Sequence, residues 1–421
     1  MGLAVIAIDF GTSNSTVGLT SPQGPRLIPL EQGNLTIPSA IFFNLEDDKV
    51  QFGREAIAAY TNHYDGRLLR SLKSVLGSSL IDESTEIGHE RISLKDIIGK
   101  FLAHLKALAQ QAAGKELEDV VIGRPVCFVD DDARLDQLAQ QQLESIAKAC
   151  GFKQVHFQYE PIAAALDYES SVSREEMALI ADIGGGTSDF SVVRVSPQAR
   201  RRSDRRSDIL ANTGVHVGGT DFDKWLSLGQ VMPHLGYKTH YRKRGELELP
   251  SSPYFDLATW HRISLLYGKK TASELKEMHL LAGQPDLVHR LLRVVRERSG
   301  HQLASDVESA KIALSSAADV RISLPYVDEH LVVPVNSRDF EQRVAALTEK
   351  IGQCIRDCVR SAGISVEQID TLFLTGGTSS LNFVRDACAS AVPQARLVEG
   401  DKFASVGLGL AIEAGVLRAR S

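Results

Sequence analysis

Two short runs hold the side chains best suited to gripping phosphate. Residues 8–15 read IDFGTSNS and residues 182–191 read DIGGGTSDFS. In each, an apolar stretch ends on an aspartate, Asp9 or Asp182, and a glycine-containing turn follows. Thr12, Ser13 and Asn14 come after Gly11; Thr187 comes after Gly184, Gly185 and Gly186, with Asp189 two residues further on. Glycine lets the backbone approach a phosphate closely, hydroxyls donate to its oxygens, and a carboxylate at a strand end can hold Mg²⁺ through water. One glycine-rich turn is a weak signal. Two copies are a strong one, because turn N–H groups form anion-binding concavities and facing hairpins can hold a polyphosphate from both sides. Between them, Glu160 precedes Pro161 at the start of an alanine-rich helix, where it serves either as a capping anion or as a carboxylate near Mg²⁺ or an attacking water.

The elements that must position these residues alternate between strand and helix. The apolar run 3–8 reads as a strand, as do 120–122 and 126–129 around an interruption at 123–125. Leu135, Leu138, Ile146 and Cys150 fall at helical spacing, with Gly151 as the residue past the helix end. A longer helix is predicted over 339–362 from Phe340, Val344, Leu347, Ile351, Ile355 and Val359, capped by Ser337 and stopped by Gly363. A buried strand at 371–374 runs into Gly376 and Gly377. The pattern is α/β. Residues 196–208, SPQARRRSDRRSD, read as an exposed basic hairpin loop. Residues 225–305 hold both tryptophans and a basic patch at 241–244, and their helical patterns fix no topology.

A chain of 421 residues is too long for one compact core, so two or three domains with a cleft are expected. With 43% hydrophobic and 24% charged residues, neither disorder nor a fibrous class is indicated, and a net charge of −6 disfavours a nucleic-acid surface. The amino-terminal apolar run lacks a basic flank and a cleavage site, and Gly2 lacks the Ser or Thr at position 6 that myristoylation needs. A cytoplasmic protein without membrane attachment is expected. Five cysteines with no CxxC spacing argue against a disulfide framework or a zinc site.

Taken in order, IDFGTSNS, YEPIAAALDYE (159–169), DIGGGTSDFS, VGGTDFD (217–223), ESAKIALSS (308–316) and FLTGGTSS (373–380) resemble the nucleotide-binding domain of Hsp70 chaperones. With VIGRPVCF (121–128) the chain is most similar to the YegD-type Hsp70-like proteins. The resemblance spans nearly the whole chain. It implies a two-lobed actin-like ATPase fold of duplicated RNase H-like domains. Lobe I would cover 1–175 with an inserted subdomain at about 36–115; lobe II would cover 176–421 with one at about 221–336. It implies ATP or ADP with Mg²⁺ as ligands. Asp9, Glu160 and Asp182 would be the catalytic carboxylates, Asp9 and Asp182 holding Mg²⁺ largely through water. Gly11, Thr12, Ser13 and Asn14 would form one phosphate loop and Gly184, Gly185, Gly186, Thr187 and Asp189 the other. Gly218 and Gly219 would begin the mobile subdomain; Glu308, Lys311 and Ser315, together with Gly376, Gly377 and Thr378, would contact adenosine. The protein would act as a slow ATPase and conformational switch, read by a protein partner through the 225–305 insertion.

Three departures from the family pattern qualify that picture. Ile57, in GREAI (53–57), stands where Hsp70 is expected to carry a lysine that orients the attacking water, and losing such a group typically costs about 10²–10³ in rate. If Ile57 only fills a core, the group must come from elsewhere, Lys73 or Arg70 being the candidates. Ser380 replaces an arginine that stacks on adenine, a contact of about 1 kcal/mol. No peptide-binding β-sandwich is expected after the last helix. Two other classes share the hairpins: actin-like cytoskeletal ATPases, which polymerise, and sugar kinases, for which no substrate-binding aspartate motif is found.

Overall fold

The computed structural model describes residues 5–21, 24–62, 64–129, 132–169, 172–199, 202, 205–400 and 405–420. Residues 3 and 4 of the first apolar run lie outside them, with Gly2, as do 200, 201, 203 and 204 of the basic run. The chain divides into two compact units: residues 1–215, 353–379 and 388–421 form one, and residues 216–352 and 380–387 the other.

The first unit opens with β1 (Val5–Phe10), β2 (Asn14–Ser21), β3 (Gly24–Leu27) and β4 (Thr36–Pro38). A small sheet, β5 (Ala40–Asn44), β6 (Lys49–Phe52) and β7 (Gly66–Arg70), carries α1 (Gly53–Thr61). The hairpin of β8 (Ser84–Ile87) and β9 (Glu90–Ser93) leads into α2 (Leu94–Ala113). There follow β10 (Asp119–Arg124), α3 (Ala133–Ala149), β11 (Gln154–Tyr159) and α4 (Glu160–Tyr168), then β12 (Glu176–Ile183), β13 (Ser188–Val195) and β14 (Ile209–Val215).

The second unit contains α5 (Gly219–Leu226), the short strands β15 (His240–Tyr241) and β16 (Arg244–Glu248), and the helices α6 (Ser252–Leu257), α7 (Lys269–Leu281), α8 (Pro285–Arg296) and α9 (Gly300–Ala313). The hairpin β17 (Asp319–Ser323) and β18 (Val332–Asn336) precedes α10 (Ser337–Ser361), whose residues belong to both units. Finally come β19 (Thr371–Thr375), α11 (Asn382–Ala391), β20 (Arg396–Glu399) and α12 (Ser405–Arg420). Among the described residues no helix is long and apolar enough to cross a membrane.

Two sheets of the first unit have the same plan. In one the order is β11-β10-β1-β2-β3, in the other β14-β13-β12-β19-β20. Each has three antiparallel strands in sequence, β1-β2-β3 or β12-β13-β14, with two further strands added parallel to the first. Side-chain alternation along β1 divides its residues between two cores. Ile6, Ile8 and Phe10 pack with α2 and α3, while Val5 and Ala7 join a second core with Ile162 and Leu166 of α4, Leu410 and Ala411 of α12, and Ala178, Ile180 and Phe373 of the other sheet. Residues 162–166, from Ile162 on, are all buried, because both sheets and α12 contribute to that core. The boundary expected near 175 falls inside the first unit, between α4 and β12; the insertion expected at 221–336 falls inside the second.

Several local expectations change. Residues 126–129 form no strand. Past Arg124 the chain turns, and the Arg124 guanidinium holds the carbonyls of Pro125 and Val126 that a ladder would need. The cap of α10 is Asn336, whose Oδ1 accepts from the Asp339 N–H at 2.8 Å, in place of Ser337. Gly151 and Gly363 do end their helices, at φ +84° and +71°. The run 196–208 is more than an exposed loop, since Arg205 and Asp208 are buried.

Candidate active site

Alternation carries the chemistry to one place. Asp9 continues the Val5 and Ala7 row of β1, and Asp182 continues the Ala178 and Ile180 row of β12, so both aspartates lie at the end of the core shared by the two sheets. Glu160 is the first residue of α4, directly after β11, and Gly376 directly follows β19. Four groups thus gather at the carboxyl ends of parallel or hairpin strands, where ligands of open α/β sheets bind.

The turns meet there as well. A side chain at Gly185 would place its Cβ 2.2 Å from Ser13 Oγ, so the two hairpin tips touch. Gly376, at φ +81°, has room for no side chain, because a Cβ would lie 2.5 Å from Asp182 Oδ1 and 2.4 Å from the Ile183 carbonyl. Thr378 Oγ1 donates to the Gly184 carbonyl at 2.8 Å, tying the turn after β19 to the second hairpin. Thr187 Oγ1 donates to Asp189 Oδ2 at 2.9 Å. Thr12, Asn14, Gly186, Thr187 and Asp189 are exposed, leaving the hairpin tips accessible.

The cation of the site is Lys73. It stands on a short 3₁₀ turn, residues 72–75, after Ser71, which takes the left-handed φ of +58°. Its Nζ lies 2.5 Å from Glu160 Oε1. Burial works against its charge, yet Glu160, Asp9 and Asp182 together outweigh that and raise its pKa. Ile57, by contrast, lies on α1 against the small cluster of Ala40, Phe42, Ala56 and Ala59. Position 57 thus brings no cation to the carboxylates, whereas Lys73 does.

The two aspartates are unwilling anions. Burial, then Glu160, pushes Asp9 up to about 7 despite Lys73. Burial, then Asp189, Glu160 and Asp9, pushes Asp182 up to about 8. The folded protein thus keeps protons that the unfolded chain loses near pH 4, and stability must fall as pH rises from there through about 8. Urea midpoints of the nucleotide-free protein are expected to decrease between pH 6 and 8.5, and Asp182→Asn, which cannot ionise, is expected to flatten that decline. Identical slopes for both proteins would refute the assignment.

Among the described residues no three His, Cys, Asp or Glu side chains are arranged to hold a metal ion. Two carboxylates beside an open anion cradle fit a divalent ion that arrives with phosphate and keeps most of its water.

The remaining residues predicted from sequence fall in the second unit. Gly218 caps α5, its N–H donating to Asp221 Oδ2 at 3.1 Å, and Gly219 begins that helix. Lys311 is buried, with Nζ 2.9 Å from Asp223 and 3.3 Å from the Gly219 carbonyl. Glu308 is half-buried on α9, and Ser315 lies past the end of that helix, so the expected stripe of three is broken at Ser315. Gly376, Gly377 and Thr378 belong to the first unit.

A family model described as Hsp70 protein matches residues 5–231 and 294–421, well over half the chain. Residues 232–293 stand outside the match.

Proposed function

Because the chain belongs to the Hsp70 family, we propose that it is an ATP-binding, chaperone-related conformational switch of the YegD-type branch, in which ATP hydrolysis depends on Lys73. The observation that carries this reading is the convergence of two touching phosphate hairpins with Asp9, Glu160, Asp182 and Lys73 at one end of a shared core. The equal strand order of the two sheets supports reading them as duplicated RNase H-like domains of a two-lobed, actin-like ATPase fold. On this reading Gly11, Thr12, Ser13 and Asn14 with Gly184, Gly185, Gly186 and Thr187 bind the phosphates through turn N–H groups and hydroxyls. Asp9 and Asp182 would hold Mg²⁺ through water, and the ion supplies neutralisation of phosphate charge. Glu160 and Lys73 orient the attacking water.

Turnover is proposed to be slow, and Ile57 is not the reason. Lys73 Nζ and Glu160 Oε1 lie 2.5 Å apart, and re-aiming part of this ion pair toward the water is proposed to slow the step. The adenosine contacts proposed at Glu308, Lys311 and Ser315 give a preference for adenine over guanine. The partner surface is proposed in the segment that departs from the family, 232–293, where Leu247, Leu265, Leu280 and Leu281 are exposed. A cytoplasmic location goes with this reading.

Calorimetric titration tests the core of the proposal. ATP and ADP should bind with Mg²⁺, GTP at least tenfold more weakly, and Asp182→Asn should weaken the Mg²⁺ dependence of ATP binding. Equal affinities for ATP and GTP would sink the adenine assignment, and no binding of either would sink the function.

A further inference from the structure

Arg124 occupies an unusual position for a charged side chain. It is the last residue of β10, pairs with Tyr159 across the sheet and is only 8% exposed. Nε donates to the Pro125 carbonyl at 3.0 Å, and Nη2 donates to the Val126 carbonyl at 3.2 Å. Nη2 also meets both oxygens of Asp136 on α3, at 3.0 and 2.8 Å, and Nη1 donates to Gln140 Oε1. Asp136 Oδ1 in turn accepts from the Phe128 N–H at 2.6 Å. The guanidinium carbon lies 5.2 Å from the ring centroids of both Phe128 and Tyr159.

With its donors engaged in this way, the guanidinium has little left for a ligand. What it does is shape the chain. It bends 125–128 back on itself, and that bend supplies Pro125, Val126 and Cys127 to the pocket that also contains Glu160, Asp182 and Asp189. Through Tyr159 it also rests against the residue next to Glu160. One planar fork therefore fixes both the wall facing the carboxylates and the approach to one of them, which a lysine's single point charge could not reproduce.

We propose that Arg124 is a positioning residue: its fork holds the Pro125–Cys127 wall against Glu160 and thereby sets where the water attacking the terminal phosphate can stand. The inference rests on the ATPase reading for its effect on rate, though its effect on the wall does not. Because the pocket lined by Pro125, Val126 and Cys127 includes none of the phosphate-gripping residues 11–14 or 184–187, loss of the fork should lower kcat and leave ATP affinity nearly unchanged.

The test compares wild type, Arg124→Met and Arg124→Lys. Single-turnover hydrolysis is expected to fall at least tenfold in Arg124→Met, with the Kd for ATP within about twofold of wild type. Arg124→Lys should recover only a minor part, and added guanidinium ion at millimolar concentration should partly rescue an Arg124→Ala variant. Cys127, an exposed residue of the wall, reports on the wall itself in nucleotide-free protein. Its alkylation rate, followed by mass spectrometry, should change severalfold in Arg124→Met while circular dichroism stays that of wild type. Unchanged Cys127 reactivity would overturn the proposal whatever the ATPase reading becomes. Altered reactivity with unchanged hydrolysis in an active wild type would overturn its catalytic half. If the methionine variant fails to fold, Gln140→Ala, which removes one contact of the fork, is expected to show the same Cys127 response in milder form, and no response from it would overturn the inference.

Discussion

Methionine in place of Lys73 is expected to lower single-turnover ATP hydrolysis by about 10²–10³, the usual cost of removing one preorganised electrostatic group from a reacting centre. ATP affinity should change much less, since the hairpin turns that bind phosphate stay in place. Among the described residues Lys73 is the cation that acts on both Asp9 and Asp182, and its ammonium reaches Glu160 at 2.5 Å. Removing it leaves three carboxylates facing one another, so Asp9 and Asp182 should hold their protons to higher pH and Mg²⁺ should bind less well below neutrality. Ile57→Lys is the matched control. Its side chain starts from α1 beside Phe42 and Ala56 and should give no acceleration. A faster Ile57→Lys protein, or an unimpaired Lys73→Met protein, would return the catalytic role to position 57 or remove it from both.

The second large effect concerns stability. Arg205 is 3% exposed and held by two carboxylates that are themselves buried: both oxygens of Glu169, at 3.0 and 2.5 Å, and Asp208 at 2.5 Å. Removing Arg205 strands buried Glu169, while Asp208 keeps Arg202 at 2.7 Å, and breaking such a cluster typically costs about 3–5 kcal/mol. Arg205→Ala is expected to lose about that much in urea unfolding. The triple replacement Arg205→Met, Glu169→Leu, Asp208→Leu should regain most of it, because a well-packed apolar substitute avoids the desolvation of all three charges. A single-variant loss below about 1 kcal/mol would mean that water reaches the cluster and screens it.

Much of the site was legible because its parts are local. Asp9 and Asp182 each end an apolar strand, each is followed by a glycine turn, and side-chain alternation alone sends them to the same side as Val5 and Ala7 or Ala178 and Ile180. Glu160 was equally readable from the proline beside it. Lys73 was readable only as an alternative to position 57, beside Arg70, since its partner is 87 residues away and SLKSVLG carries no periodicity that distinguishes a site lysine from a surface one. Distance also hid Arg205, which composition placed in a solvated basic loop and which only the distant Glu169 draws inside. Val126 to Val129 have the composition of a strand, yet the carbonyls at 125 and 126 go to Arg124. In the second unit α6 has six residues and a 3₁₀ segment, Trp260–Tyr267, separates it from α7, so the helical pattern there set no order.

The parallel pairing of β12 with β19 also bears on how the chain is made. Asp182 pairs with Thr375, and residues 216–352, most of the second unit, are encoded between them. A ribosome adding roughly 5–20 residues per second needs on the order of 10–40 seconds to pass from Ile183 to Thr371. Throughout that interval the β12-β13-β14 ribbon has one long apolar margin, from Ala178 to Asp182, with its backbone N–H and C=O groups unclaimed. Such a margin is a template for the wrong strand, whether from a neighbouring nascent chain or from the completed β1 side of the same one. A member of a family of folding helpers would thus be exposed, during its own synthesis, to the hazard that such helpers exist to manage.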